Sequence, residues 1–480
     1  MLDFRPIALV NGILLATLAT AMMLPALVDL ALGNPDWIVF ATAAGATLFV
    51  GLAMTMSTRG SAGNMNVREA FVMTTLAWVL LAVFASLPFV WSELSLSFTD
   101  AYFESMSGLT TTGATVITGL DHAPPGILLW RGLLQWLGGL GIIVMAIAVL
   151  PMLQIGGMQL FKIEAFDTAE KIMPRATQIS GSLTLMFVFI TALCAMAYLM
   201  VGMKIDDAVI HAMTTVATGG FSTKDASLAY FDSYSVDAVA TVFMIAGSIP
   251  FILYVQLVRG EPQALWRNSQ VRAFLFLLLL LTMIGWWLHP EPDNPVRGFF
   301  HSLLNVTSLV TGTGYTTTDY SSWGFSSQIF FFLIMFIGGC AGSTSCGIKI
   351  FRFQILYETV KQHVRRTLQP NGIFVMRYNG RPLKEEVSAA VMNFLFLFAL
   401  AFWVTTVALN MVGLDFIMAA SAAATALANV GPGMGDVIGP VGNFKSLNDS
   451  AKWILTIAMM VGRLELLTVL VLLMPHFWRN

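Results

Sequence analysis

Four times along this chain a moderately apolar stretch of about 12 residues, too short to cross a bilayer, runs into a glycine-rich knot and then into a full-length apolar run. The first, Asp100 to Leu109, leads into Thr110-Thr111-Thr112-Gly113-Ala114-Thr115. The second, Asp206 to Val216, leads into Ala217-Thr218-Gly219-Gly220-Phe221-Ser222. The third, Val296 to Thr311, precedes Gly312-Thr313-Gly314-Tyr315-Thr316, and the fourth, Asp415 to Ala428, precedes Asn429-Val430-Gly431-Pro432-Gly433. Aligned on Gly113, Gly219, Gly314 and Gly431, the units recur every 95 to 117 residues, each as span, half-helix, knot and span.

A half-helix that returns through a membrane as irregular backbone is tolerated only where its peptide groups are buried in protein or line a watery path. Any one knot reads equally well as a plain turn. Four in register argue for a pore on a fourfold pseudo-axis. Glycine permits the positive φ that lets neighbouring carbonyls point the same way, and rings of carbonyls can replace the hydration shell of an alkali cation. Each half-helix would also turn its negative C-terminal end toward the centre.

The surrounding sequence supports a bilayer setting. Apolar runs of roughly 20 residues or more lie at 7–31, 37–57, 70–91, 126–152, 180–203, 237–258, 271–289, 325–350, 389–412 and 451–475. This predicts an all-α polytopic membrane protein of ten transmembrane helices. Its units are 1–69, with two extra N-terminal spans, and repeats at 70–179, 180–270, 271–388 and 389–480. The first run is too long for a signal-peptide core and reads as a retained span. Only 11% of residues are charged, against about a quarter in soluble proteins, so much of the surface is not in water.

One set of alternate loops carries Arg5, Arg59, Arg68, Lys162, Lys171, Arg175, Arg259, Arg267, Arg272, Lys349, Arg352, Lys361, Arg365, Arg366, Arg377, Arg381, Lys384 and Arg479. The other carries only Lys204, Lys224, Arg297, Lys445 and Lys452. That bias predicts cytoplasmic termini and a cytoplasmic segment from 350 to 388. The opposite face is rich in carboxylates, among them Asp100, Asp121, Asp207, Asp225, Glu291 and Asp293, which either steer cations inward or form an ordinary solvated rim. The formal net charge of -2, with no basic tail, argues against a nucleic-acid partner. Six scattered histidines and three cysteines (Cys194, Cys340, Cys346) give neither a zinc or haem site nor a disulfide framework.

These knots, with Gly338-Gly339-Cys340-Ala341-Gly342-Ser343-Thr344 and Val461-Gly462-Arg463, make the chain resemble the Trk/Ktr/HKT superfamily of K+ transporters, most closely its bacterial TrkH/TrkG branch. The resemblance covers nearly the whole chain, including the two extra N-terminal spans. It implies K+, or Rb+, held by backbone carbonyls of Thr111, Thr112 and Gly113; Ala217, Thr218 and Gly219; Gly312, Thr313 and Gly314; and Asn429, Val430 and Gly431. The fourth knot departs most from the pattern. In plant relatives a serine at the first filter glycine accompanies Na+ transport, so Gly113 favours K+.

The eighth run is interrupted by Gly338 to Gly347, a stretch of glycine and small hydroxyl residues that can unwind. By resemblance Gly338, Gly339, Gly342, Ser343 and Gly347 form an intramembrane gate below the filter. The alternative is a small-xxx-small helix contact. Arg463 falls mid-span, where a charge needs water or a partner. The resemblance puts it on the ion path bonded to the gate, and a buried pair with Glu465 is the alternative. Arg131, beside Trp130 near a span end, reads as interfacial snorkelling.

The expected function is K+ uptake across the bacterial inner membrane, passive or as symport, by a homodimer. The resemblance implies a TrkA-type cytoplasmic nucleotide-binding regulator, since this chain carries no nucleotide motif. A competing reading is an alternating-access carrier for another small cation or solute, which predicts two related halves and a pair of broken helices. An enzyme would need clustered reactive side chains within the spans, and none is evident. No cofactor is expected beyond the transported ion.

Overall fold

The computed structural model describes residues 2–58, 65–148, 176–289 and 294–478. Arg59, Lys162, Lys171, Arg175, Arg479, Glu291 and Asp293, which entered the charge argument, lie outside them, as does the end of the run at 126–152.

The described chain is mostly helical, with one two-residue hairpin pairing Arg377–Tyr378 with Arg381–Pro382. Seven helical segments are long and apolar enough to cross a membrane: Phe4–Leu32, Trp37–Ser57, Val67–Trp91, Pro125–Ala148, Ala176–Met200, Ser269–Leu288 and Glu385–Met411. Their exposed faces are apolar, for example Leu27, Phe49, Leu185 and Phe396, as suits contact with lipid tails.

The other three apolar runs are broken. Tyr234–Gly247 and Phe251–Val258 meet at 93°, because Pro250 has no N–H to continue the ladder and biases Ile249 away from helix. Asp449–Arg463 and Leu467–Leu473 meet at 114°, with Glu465 and Leu466 between them at φ 62 and 41. The run at 325–350 holds only the helix Phe325–Ile334 before irregular backbone takes over up to Ile350. The expectation of ten apolar runs therefore meets seven such helices and two bent pairs among the described residues.

The four short stretches form helices at Phe98–Leu109, Ile205–Val216, Pro295–Thr311 and Phe416–Ala428. Side chains cap three of them: Ser97 accepts from the Asp100 N–H, Asn294 from Arg297 and Asp415 from Met418. The shortest, of 12 residues, is about 18 Å long, well below the thickness of a hydrocarbon core. Their C-terminal ends are wholly buried, so each helix starts near solvent and stops deep inside the protein.

Candidate functional site

Each half-helix ends in a Schellman-type cap. At the helix end the chain turns left-handed, one residue past the cap at Thr111 (φ 52) and Thr218 (φ 49) and at the cap itself at Gly312 (φ 73) and Asn429 (φ 52). The next N–H reaches back five residues, from Thr112 to Ser107 O (2.9 Å), Gly219 to Thr214 O (2.8 Å), Thr313 to Ser308 O (2.8 Å) and Val430 to Thr425 O (3.0 Å). These bonds satisfy carbonyls the helix would otherwise orphan. A second positive φ follows at Gly113, Gly220, Gly314 and Gly431.

This pattern corrects the register of the second knot. Gly220 occupies the backbone position of Gly113, one residue beyond the expected Gly219, and Ala217 is a right-handed cap residue (φ -73, ψ -7) matching Thr110. Thr-Gly-Gly offers two adjacent glycines, and only the five-residue hydrogen bond decides between them. Thr111 and Thr218 are β-branched residues in a region such residues avoid, a form of local strain that concentrates at functional sites.

The second glycines close a cycle. A Cβ on Gly113 would collide with Gly219 O, one on Gly220 with Thr313 O, and one on Gly314 with Val430 O. On Gly431 it would lie 2.8 Å from Thr112 O. In every case the obstructing carbonyl belongs to the residue before the glycine of the next knot. Main chain therefore meets main chain around a closed ring of four, in a region where Thr111, Thr112, Thr218, Thr313, Asn429 and Val430 are all buried.

Bracing residues that sequence reasoning missed stand behind the ring. Seven residues before the left-handed position of the first three knots lie Glu104, His211 and Asn305. Glu104 accepts from the Val116 N–H at 2.9 Å, His211 Nε2 bonds Ser222 Oγ at 2.9 Å and Asn305 accepts from the Thr317 N–H at 3.3 Å. In the fourth, Ser421 accepts from the Met434 N–H at 3.1 Å. Gln135 donates to Gly219 O at 2.6 Å and accepts from the Phe221 N–H at 3.0 Å. The spacing that Glu104, His211 and Asn305 share was the available signal for those three, and nothing local marks Ser421 or Gln135.

Arg131 does not snorkel. It is 1% exposed and pairs with Glu104 at 2.8 Å, donates to Ser222 O at 2.7 Å and stacks over Phe221. It ties the outward limb of the first knot to that of the second, and the demand for a partner in a dry interior outweighs the pull of a nearby interface.

The segment Gly338 to Gly347 is irregular backbone, as the loop reading expects and the helix-contact alternative does not. Ile337 pairs with Ile348 at its neck, and Gly342 and Gly347 turn at φ 78 and 71. Gly338 fits against Cys346 O, Gly339 against Ser248 and Ser345, and Ser343 Oγ donates to Cys340 O at 2.6 Å. The loop is sewn to the knots: Ser345 Oγ donates to Thr311 O at 2.7 Å and Thr111 Oγ1 lies 3.7 Å from Cys346 Sγ. Thr344 is its hub. Its hydroxyl reaches Val216 O at 3.0 Å and Gly247 O at 2.9 Å and accepts from Thr218 Oγ1 at 3.2 Å.

Arg463 is 3% exposed and holds the same loop. It donates to Thr344 O at 3.2 Å, to Cys346 Sγ, and to Gly138 O at 3.3 Å. Glu465 pairs instead with Arg352, so the alternative of an Arg463–Glu465 pair is not what forms. The assembly offers a closed ring of main chain, a loop of hydroxyl-rich backbone and the buried guanidinium of Arg463.

Comparison with known proteins finds relatives over the whole length of the chain. The family model for TrkH, described as a cation transport protein, matches residues 38–289 and 295–479. The Trk system potassium uptake protein TrkI of Halomonas elongata is 44% identical over 99% of this chain and 97% of its own length. The TrkH of Escherichia coli K12 is 36% identical over the full length of both chains. The crystal structure of the potassium transporter TrkH from Vibrio parahaemolyticus superposes with a TM-score of 0.92 at 37% identity, covering all of both chains. This chain is thus a multi-pass membrane protein and belongs to the TrkH family of cation transport proteins.

Proposed function

We propose that this protein takes up K+ through the ring of four knots, with backbone carbonyls of Thr111, Thr112 and Gly113, of Thr218, Gly219 and Gly220, of Gly312, Thr313 and Gly314, and of Asn429, Val430 and Gly431 serving as the selectivity filter. The closed cycle of glycine against carbonyl supports this reading, because it brings the main chain of four knots together, each against the next, as a carbonyl-lined filter requires. Relatives named as potassium uptake proteins at 36% to 44% identity support the choice of ion. Ala217 passes from filter to cap. The ten-span, four-repeat architecture belongs to the same proposal, with each bent pair and the broken run at 325–350 crossing once.

The loop Gly338 to Gly347 is the gate, latched by Thr344 and Arg463, and the guanidinium below the filter repels a resident cation. Inner-membrane location with cytoplasmic termini follows the Lys/Arg bias. A homodimer and a TrkA-type regulator complete the assembly, in line with relatives named as parts of a Trk system. The two bent pairs would suit an alternating-access carrier. Against it, Phe251 at one bend donates its N–H to Gly342 O of the loop, so that break serves the plug. Isotopic Rb+ influx into proteoliposomes under imposed K+, Na+ and H+ gradients tests the proposal. Competition by K+ far exceeding that by Na+ is expected, equal competition would defeat it, and dependence on a second gradient would establish symport.

A further inference from the structure

Beside the loop lies a cavity of about 560 Å³, within the usual size of a ligand site. It is bounded by Ser269–Leu288, by the helix Ile350–Leu368 that follows the loop, and by the hairpin at Arg377. Its wall is mostly apolar, with Ala273, Phe276, Leu277, Phe353, Ile337 and Ile350 on one side and polar groups such as Gln354 and Asn379 toward the hairpin. The two isoleucines bracket the loop. Ile337 pairs with Ile348, and Ile350 donates its N–H to Gly339 O at 3.1 Å.

The surface around the mouth has the character of a membrane interface. Phe276 is 68% exposed, and Leu279 and Leu280 continue its face along an apolar span. On Ile350–Leu368, Tyr357, Val360, Val364 and Leu368 form an exposed apolar stripe at helical spacing, with Lys361, Arg365 and Arg366 alongside. That pattern of apolar stripe and flanking basic residues suits a helix lying along a bilayer surface. Arg272, exposed one turn before Phe276, and exposed Arg377 in the cavity lining supply positive charge. Glu358, the acidic group in the lining, pairs with Lys361 at 3.1 Å.

We propose that this cavity holds an acyl chain of an anionic phospholipid from the cytoplasmic leaflet, with its headgroup against Arg272 and Arg377, and that the bound lipid stabilises the loop in its latched position. Apolar wall, lipid-facing mouth and basic rim match the two ends of such a molecule. The effect on flux rests on the gate reading above, whereas the binding does not. Full-length protein is reconstituted in phosphatidylcholine alone and in phosphatidylcholine with phosphatidylglycerol, and basal Rb+ influx is compared. Phosphatidylglycerol should lower wild-type influx severalfold. Ala273→Trp, which fills the cavity, should give the low rate in both membranes. The surface pair Arg272→Glu and Arg377→Glu should keep the wild-type rate in phosphatidylcholine and lose the response. Native mass spectrometry should find phosphatidylglycerol retained by wild type and lost from Ala273→Trp. Retention without an effect on flux would leave the binding half standing and overturn the gating half. Equal retention by wild type and both variants would overturn the proposal. So would a change in oligomeric state of Ala273→Trp with the lipid response intact, which would make the cavity an interface between copies.

Discussion

Gly113→Ser is the sharpest perturbation of the proposed filter. The residue sits at φ +84, where an L side chain costs about 1–2 kcal/mol. Its new Cβ would also drive into Gly219 O, a backbone atom with little freedom to swing aside because it accepts a hydrogen bond from Gln135 Nε2 at 2.6 Å. Either the first knot or the Gly219 carbonyl must move, and both belong to the ring. If even about 1–2 kcal/mol of this strain falls differently on the K+-bound and Na+-bound filter, relative uptake changes by roughly 5–30-fold. The control is Gly413→Ser, also at positive φ (+104) but with nothing near its Cβ, which places an L side chain in left-handed backbone outside the ring. Rb+ influx into proteoliposomes, competed with K+ and with Na+, should show eroded discrimination for Gly113→Ser alone. A folded Gly113→Ser protein with wild-type discrimination would refute the reasoning.

Other substitutions probe the remaining parts. Thr344→Val keeps the shape of the hub and removes a hydroxyl reaching Val216 O and Gly247 O, so basal Rb+ influx should rise with selectivity retained. Arg463→Ala removes the charge and three contacts to the loop and Gly138, and should likewise raise basal flux; wild-type flux would take it off the ion path. Arg131→Met leaves Glu104 buried without its partner and should cost about 3–5 kcal/mol, read as a lowered melting temperature in detergent. Removing Gly338 to Gly347 is a poorer test than these point changes. Phe251, Ser248 and Thr311 all bond to that loop, so its loss should lower the melting temperature as well as open the pore.

The half-helices were legible because their lengths and the glycines after them are local properties of the sequence. The loop at Gly338 was legible for the same reason. What escaped were features decided by distant atoms. Two consecutive glycines hid the register of the second knot until the Gly219 N–H chose Thr214 O. Arg131 looked interfacial because Glu104, 27 positions away, gives no local sign of facing it. The bends at 248–250 and 465–466 lie inside runs that stay apolar enough over their whole length to read as straight spans. Pro250 was a visible hint, whereas Glu465 turns left-handed beside its pair with Arg352, a partner no spacing rule supplies.

If main-chain oxygens of four knots take over the role of water for one dehydrated cation, that cation should be visible by anomalous diffraction from crystals soaked in Tl+, a heavy mimic of K+. The expected peak lies on the axis between the carbonyls of Thr112, Gly219, Thr313 and Val430, is reduced on exchange into excess K+ and is unaffected by Na+. A ring free of Tl+, with the ion held elsewhere by side chains, would contradict this.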